Sequence, residues 1–226
     1  SRGLGDVYKR QMLNLFLEGT LETFYMVVMS TLLAYLIGLP LGVLLVVSGE
    51  DGIRPMPVLN RTLGVVINLL RSAPFLILLV ALTPVTRAIL GTSLGSTATI
   101  VPLVIGSAPF IARMVESSIK EVDGGVIEAA QSMGASPMQI VLRVMLPEAK
   151  PSLTVGAAIA VTTILGYSAM AGFVGGGGLG TIAVNYGVHR YQTDVMLVTL
   201  ALLVAIVQVF QEVGMHIAAR IDKRRR

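Results

Sequence analysis

The sequence predicts an all-α integral membrane protein with about five transmembrane helices, since a span needs about 20 apolar residues and the chain offers that many such stretches. Three observations carry the prediction. Hydrophobic residues make up 54% of the chain and charged residues 13%, against roughly 25% charged in soluble domains, and the mean hydropathy is +0.80. The apolar stretches recur along the whole length. Between two of them lies one organised polar interval, 121–151, with helix start and stop signals of its own.

Composition also excludes functions. The chain has no cysteine, so disulfides and thiolate metal sites are out. The two histidines, His189 and His216, are far apart and support no Ser/His/Asp arrangement. The net charge of +4 does not point to nucleic acid, because five of the seventeen basic residues fall in the last seven positions, a membrane-topology pattern. No G-x-x-x-x-G-K-[ST] is present, so any ATP that drives the protein is held by another subunit. The size fits one domain, 12–226.

Residues 1–11 precede the first methionine and are set aside as a candidate non-native leader. The first span is expected over 21–47, with Gly38, Pro40 and Gly42 allowing a bend. A polar loop with Glu50, Asp51 and Arg54 follows. The second span is expected over 58–85 and is interrupted by Arg71. Arg71 is either a pathway charge, since intramembrane charges face cavities, or part of a helical extension at the interface, the reading preferred. A short loop is expected at 87–96 and the third span at 97–115, with Pro102 and Pro109 tolerated inside it. The fourth span, 152–170, is rich in Thr, Gly and Ala and is expected to be buried among other helices. It closes on Gly166–Gly172, where Tyr167, Ser168 and Met170 offer two hydroxyls and a flexible thioether. That end is either ordinary packing or a gate.

The loop 171–194 contains Gly175, Gly177 and Gly180 in G-x-G-x-x-G order. A dinucleotide fingerprint needs a βαβ setting, which is lacking, so these glycines are read as tight turns at the outer mouth of a pathway. The fifth span is expected over 195–217. Arg54, Arg61, Lys120, Arg143, Lys150, Arg220, Lys223 and Arg224 to Arg226 fall on one side of this arrangement, with Arg87 and Arg190 opposite. The first side is therefore cytoplasmic and the N-terminus outside. The second, third and fourth spans, as bounded here, hold no acidic residue, and the fifth holds Glu212 only, toward its end. This scarcity argues against an ion-coupled secondary transporter of amino acids, the alternative from another class. Glu116, Glu121, Asp123, Glu128 and Glu148 are read as solvated charges among Lys120, Arg143 and Lys150 rather than a metal or acid–base site.

In the polar interval, Asp123-Gly124-Gly125 opens a short helix. Val126, Ile127, Ala129, Ala130 and Met133 recur at helical spacing as one apolar stripe. Gly134 suits the stop. Ser136-Pro137-Met138-Gln139 starts a second helix with a capping box, and Pro147 is expected to end or kink it. The stripe fits either a lipid surface or a groove on a partner protein.

Glu128-Ala129-Ala130, three residues, Gly134, nine residues, then Val144-Met145-Leu146-Pro147 resembles the EAA motif of ABC-importer permeases. Further blocks over 69–95 (LLRSAPFLILLVALTPVTRAILGTSLG), 108–116 (APFIARMVE), 128–141 (EAAQSMGASPMQIV) and 166–180 (GYSAMAGFVGGGGLG) resemble the methionine-transporting permeases of that family. The resemblance implies a type I importer permease of the bacterial inner membrane, with no catalytic site and no cofactor of its own. It implies a homodimer, two cytoplasmic ATPase subunits that hold ATP and Mg, and an external substrate-binding lipoprotein that delivers D- or L-methionine or another small amino acid. By the same resemblance Glu128, Ala129, Ala130, Met133, Gly134, Leu146 and Pro147 couple to the ATPase, and Tyr167, Ser168 and Met170 lie near the pathway.

Overall fold

The computed structural model of the chain describes residues 2–221. Among these every regular element is helical: α1 (Arg2–Val47), α2 (Pro57–Ser72), α3 (Phe75–Ala81), α4 (Thr83–Leu90), α5 (Ser96–Lys120), α6 (Gly124–Ser132), α7 (Pro137–Ile140), α8 (Leu146–Met170), α9 (Gly178–Ile182) and α10 (Thr193–Ile221). Single π-helical turns at Val141–Met145 and Ala183–Val188 and a 3₁₀ turn at Ala171–Val174 complete the set. Four stretches are long and apolar enough to cross a membrane: Arg10–Val47, Ser96–Lys120, Pro137–Val174 and Thr193–Ile221. Counting a bent pair as one span gives a fifth, so the fold is the expected all-α membrane architecture.

That span, expected over 58–85, is made of two helices. α2 and α3 meet at 101°. Pro74 causes the break: it donates no backbone hydrogen bond and forces Ala73 into extended geometry (φ −72°, ψ 129°). The chain then turns helical again as α4, whose last residues, 87–90, fall where the loop 87–96 was expected. α4 ends at Gly91 in left-handed geometry (φ 75°), its N–H donating to the Arg87 carbonyl at 2.8 Å. Arg71 occupies the last turn of α2 and is exposed. α1 begins at Arg2, so residues 2–11 continue as helix into the first span. Lys223 and Arg224 to Arg226, used above for orientation, lie outside the described residues.

The long helices contribute to two compact units. One takes α1 as far as Leu32, Pro74–Val104 and Val161–Val209. Its core includes Met26, Val27, Leu79, Leu103, Ile164, Leu165 and Leu179. The glycine loop is built into this core, with positive φ at Gly175, Gly177 and Gly178. A side chain at Gly180 would strike the backbone of Ala169, and one at Gly172 would strike that of Gly180. These glycines therefore serve backbone-to-backbone packing as well as turning. The Glu22 carboxylate accepts from the Gly178 N–H at 2.6 Å and the Thr23 hydroxyl from the Leu179 N–H at 2.9 Å. Most of what was expected as loop 171–194 is short helical turns held on α1 in this way.

The other unit takes Leu33–Ala73, Ile105–Ala160 and α10 from Phe210. Gly38 and Gly42 of α1 press against Ala108, Ile111, Ala112 and Val115 of α5, leaving no space for a Cβ. They serve close helix approach, as four-residue spacing of small residues allows. Leu45, Ile67 and Ala112 form a buried cluster joining α1, α2 and α5, with Leu41 and Leu63 against it. Asn60 of α2 donates to the Leu45 carbonyl (2.7 Å) and the Ser48 hydroxyl (3.0 Å). Ser152 of α8 donates to Ser118 of α5 at 3.1 Å. Gly156 lies on Met114 and Gly214 on Ala158, so this part of α8 packs through its small residues. The whole of α8 is not buried, however: Ile159, Gly166 and Met170 are exposed.

Candidate coupling surface and pathway residues

The second unit carries the organised interval. Asp123 is the N-cap of α6 and accepts from the Gly125 N–H at 2.7 Å. After Ser132 the chain turns at Gly134 (φ 77°). The Gly134 N–H donates to the Gln131 carbonyl (2.9 Å) and the Ala135 N–H to the Ala130 carbonyl (3.1 Å), the paired bonds of a Schellman motif. Ser136 then caps α7. Its hydroxyl accepts from the Gln139 N–H at 3.4 Å, while the Gln139 side chain accepts from the Ser136 N–H at 2.8 Å. Three sequence signals thus place the two short helices as expected.

Pro147 does not end the second of them. The helix passes through the π-turn Val141–Met145 into α8, with Pro147 in its first turn. The Leu146 N–H reaches back five residues to the Val141 carbonyl. A widened turn makes room for a proline ring that a straight α-turn would reject. α6 packs on α7 and on this π-turn, so Glu128 to Gly134 lie on an element packed against the turn that leads into Leu146 and Pro147.

The single apolar stripe expected on α6 is divided. Ala130 is 4% exposed and Ile127 half-buried, so these face the protein. Met133 is 82% exposed, and Val126, Glu128 and Ala129 are exposed with it. Met138 and Leu142 extend the apolar surface beyond Gly134. Pro147 is exposed and Leu146 half-buried.

In the other unit, Tyr167 lies flat on Phe75 of α3, ring centroids 4.0 Å apart and planes 5° from parallel. Met170 is exposed. Ser168 is buried, and its hydroxyl donates to the Leu165 carbonyl at 2.8 Å within its own helix. Tyr167 and Met170 therefore reach the surface of their unit and Ser168 turns into it.

Sequence reasoning missed Arg113 and misread Glu116. α5 runs to Lys120, so Glu116 falls inside the third span's helix and that span does hold an acidic residue. Glu116 is nearly buried rather than solvated. It accepts from Arg113 at 2.7 Å and from Lys120 at 2.8 Å. Arg113 also donates to the Gly64 carbonyl of α2 at 3.0 Å. The spacing Arg113, Glu116, Lys120 at i+3 and i+7 was the available signal. Among the described residues no three His, Cys, Asp or Glu side chains gather as metal ligands.

The family described as "Binding-protein-dependent transport system inner membrane component" matches residues 34–226. The chain belongs to this family. As an inner-membrane component it is similar to the probable D-methionine transport system permease protein MetI of Vibrio cholerae, 48% identical over 93% of this chain and 94% of that protein. The D-methionine transport system permease protein MetI of Escherichia coli K12 is 50% identical over 71% of this chain and 74% of its own length. Among solved structures, a chain of the MetNI methionine ABC transporter in inward-facing conformations superposes with a TM-score of 0.93 at 47% identity, over 94% of this chain and 99% of that one. An amino acid ABC transporter matches with a TM-score of 0.78 at 19% identity, which shows the shared fold alone. The inner-membrane component is thus a multi-pass permease of the type I importer fold, and the ion-coupled alternative is not favoured.

Proposed function

We propose that this chain is the permease subunit of an ATP-driven methionine importer. It works as a homodimer, with two ATPase subunits on the cytoplasmic face and an external binding protein delivering D- or L-methionine. The observation that carries the reading is the 47% identity to a chain of the MetNI methionine ABC transporter, sustained over 99% of that chain. The N-terminus lies outside and the C-terminus in the cytoplasm, as the basic residues favour. ATP and Mg belong to the ATPase subunits, and this chain supplies neither a catalytic group nor a cofactor site.

Two sets of residues divide the work. Val126, Ala129, Met133 and Met138 present the apolar surface that enters a groove on the ATPase, with Glu128 at its edge. Ala130, Gly134, Leu146 and Pro147 shape the helix pair that carries it. An amphipathic helix docking in a groove needs such apolar positions at i, i+3 and i+7. Tyr167 and Met170 face the translocation pathway, and Ser168 keeps their helix in register. Binding ATP closes the ATPase pair and opens the permease dimer outward.

Uptake of labelled methionine into proteoliposomes holding this chain, its cognate ATPase and binding protein tests the proposal. ATP-dependent uptake that survives a protonophore is expected. Uptake that follows an ion gradient and ignores ATP would overturn it. ATP hydrolysis stimulated by the binding protein, without methionine uptake, would move the substrate to another small amino acid.

A further inference from the structure

Arg113 makes two contacts at once. One guanidinium nitrogen donates to Glu116 at 2.7 Å and the other to the Gly64 carbonyl on α2 at 3.0 Å. Glu116 is in turn held by Lys120 at 2.8 Å, in the last turn of α5. Lys120 lies three residues before Asp123, the cap of α6. The three charges thus run along one side of α5 from its last turn, just before the coupling unit, to the backbone of α2. Few groups other than a guanidinium reach an acid and a carbonyl together, because its fork is rigid and carries five donors. The cluster Leu45, Ile67 and Ala112 packs beside this tie but has no directional bond across α2 and α5.

We infer that Arg113, oriented by Glu116, is a positioning residue that locks α2 to α5, so that displacement of the coupling unit reaches α2 without slippage. The inference rests on the ATP-driven reading above. Its consequence is a coupling defect rather than a folding defect. Without the tie, ATP hydrolysis continues while α2 lags, and fewer substrate molecules are carried per ATP. Lysine brings one flexible nitrogen in place of two held rigidly in a fork, so it is expected not to restore the tie.

The test compares parent, Arg113→Lys and Arg113→Met complexes in proteoliposomes, measuring methionine uptake and ATP hydrolysis together. Both variants are expected to hydrolyse ATP at near the parent rate with uptake per ATP lowered about fivefold, within the range for residues that carry coupling between sites. An unchanged ratio in either assembled variant would overturn the inference. A parent complex without ATP-dependent uptake would overturn the functional reading instead, and this inference with it. A second measurement covers variants that fail to assemble. The chain has no cysteine, so spin labels placed by Thr62→Cys on α2 and Ser117→Cys on α5, with doubly labelled chain diluted into unlabelled chain so that one protomer per complex carries both, report the α2–α5 distance in an otherwise parental chain. That distance is expected to stay fixed when ATP is added. A shift on ATP addition means that α2 and α5 move separately, and the inference fails.

Discussion

Ala130 and Met133 look alike in sequence and do opposite things. Ala130 sits under α6 with 4% of its surface exposed, and Met133 points outward at 82%. Ala130→Arg therefore buries an unpaired charge and is expected to lower stability by about 3 kcal/mol or more. Thermal unfolding in detergent would show that loss. Met133→Asp is expected to leave the fold intact, because that side chain is largely exposed, and to abolish co-purification with the ATPase. Retention of the ATPase by a well-folded Met133→Asp chain would remove Met133 from the docking surface. In the other unit, Tyr167 stacks on Phe75. Tyr167→Phe keeps the stack and is expected to transport normally. Tyr167→Ala removes a contact worth roughly 0.5–1.5 kcal/mol beyond buried area, and reduced initial uptake rates should follow.

The short helices of the coupling unit show which parts of an element are legible. The Asp123 cap, the Gly134 stop and the Ser136–Gln139 capping box are satisfied by groups within five residues of one another. Local sequence determines such bonds: the Gly134 stop and the Ser136–Gln139 box were read as such, and Asp123 only as part of the helix opening. Gly134→Ala tests one: its φ of 77° is costly for any side chain, although the space around it is open. A loss of about 1 kcal/mol is expected, measurable by unfolding, with no new clash. The division of the α6 stripe was not legible, since hydrophobic spacing gives an apolar face but not its partner. Nor was the tie from Arg113 to Gly64, 49 positions apart. The 101° bend before α3 was only half visible: Pro74 announces a break, but the angle depends on what the two helices pack against.

Across the whole molecule, composition alone gave the membrane class, and the expected number of spans is reached, with the bent pair counted as one, because each long helix contains a stretch apolar enough to cross a membrane. Helix ends did not hold, because charged residues such as Glu116 and Lys120 pair with each other and let α5 extend further. The inside–outside assignment is tested by single cysteines in the cysteine-free chain. Cysteine placed at Tyr191, 87% exposed, is expected to react with a membrane-impermeant thiol reagent from outside. Cysteine at Gln139, in the coupling unit, is expected to react only after permeabilisation; the reverse pattern would invert the topology. The π-turn Val141–Met145 bears on all of this. It holds one residue more than the α-helix around it needs. Remove that residue and the ladder could close as plain α-helix, but everything after it would swing by about 100° around the axis. Gly156 would leave Met114, and Ala158 would leave Gly214. The turn therefore sets the phase of the fourth span. A one-residue deletion here should be more damaging than most substitutions, because it re-aims an entire helix while leaving its composition almost unchanged.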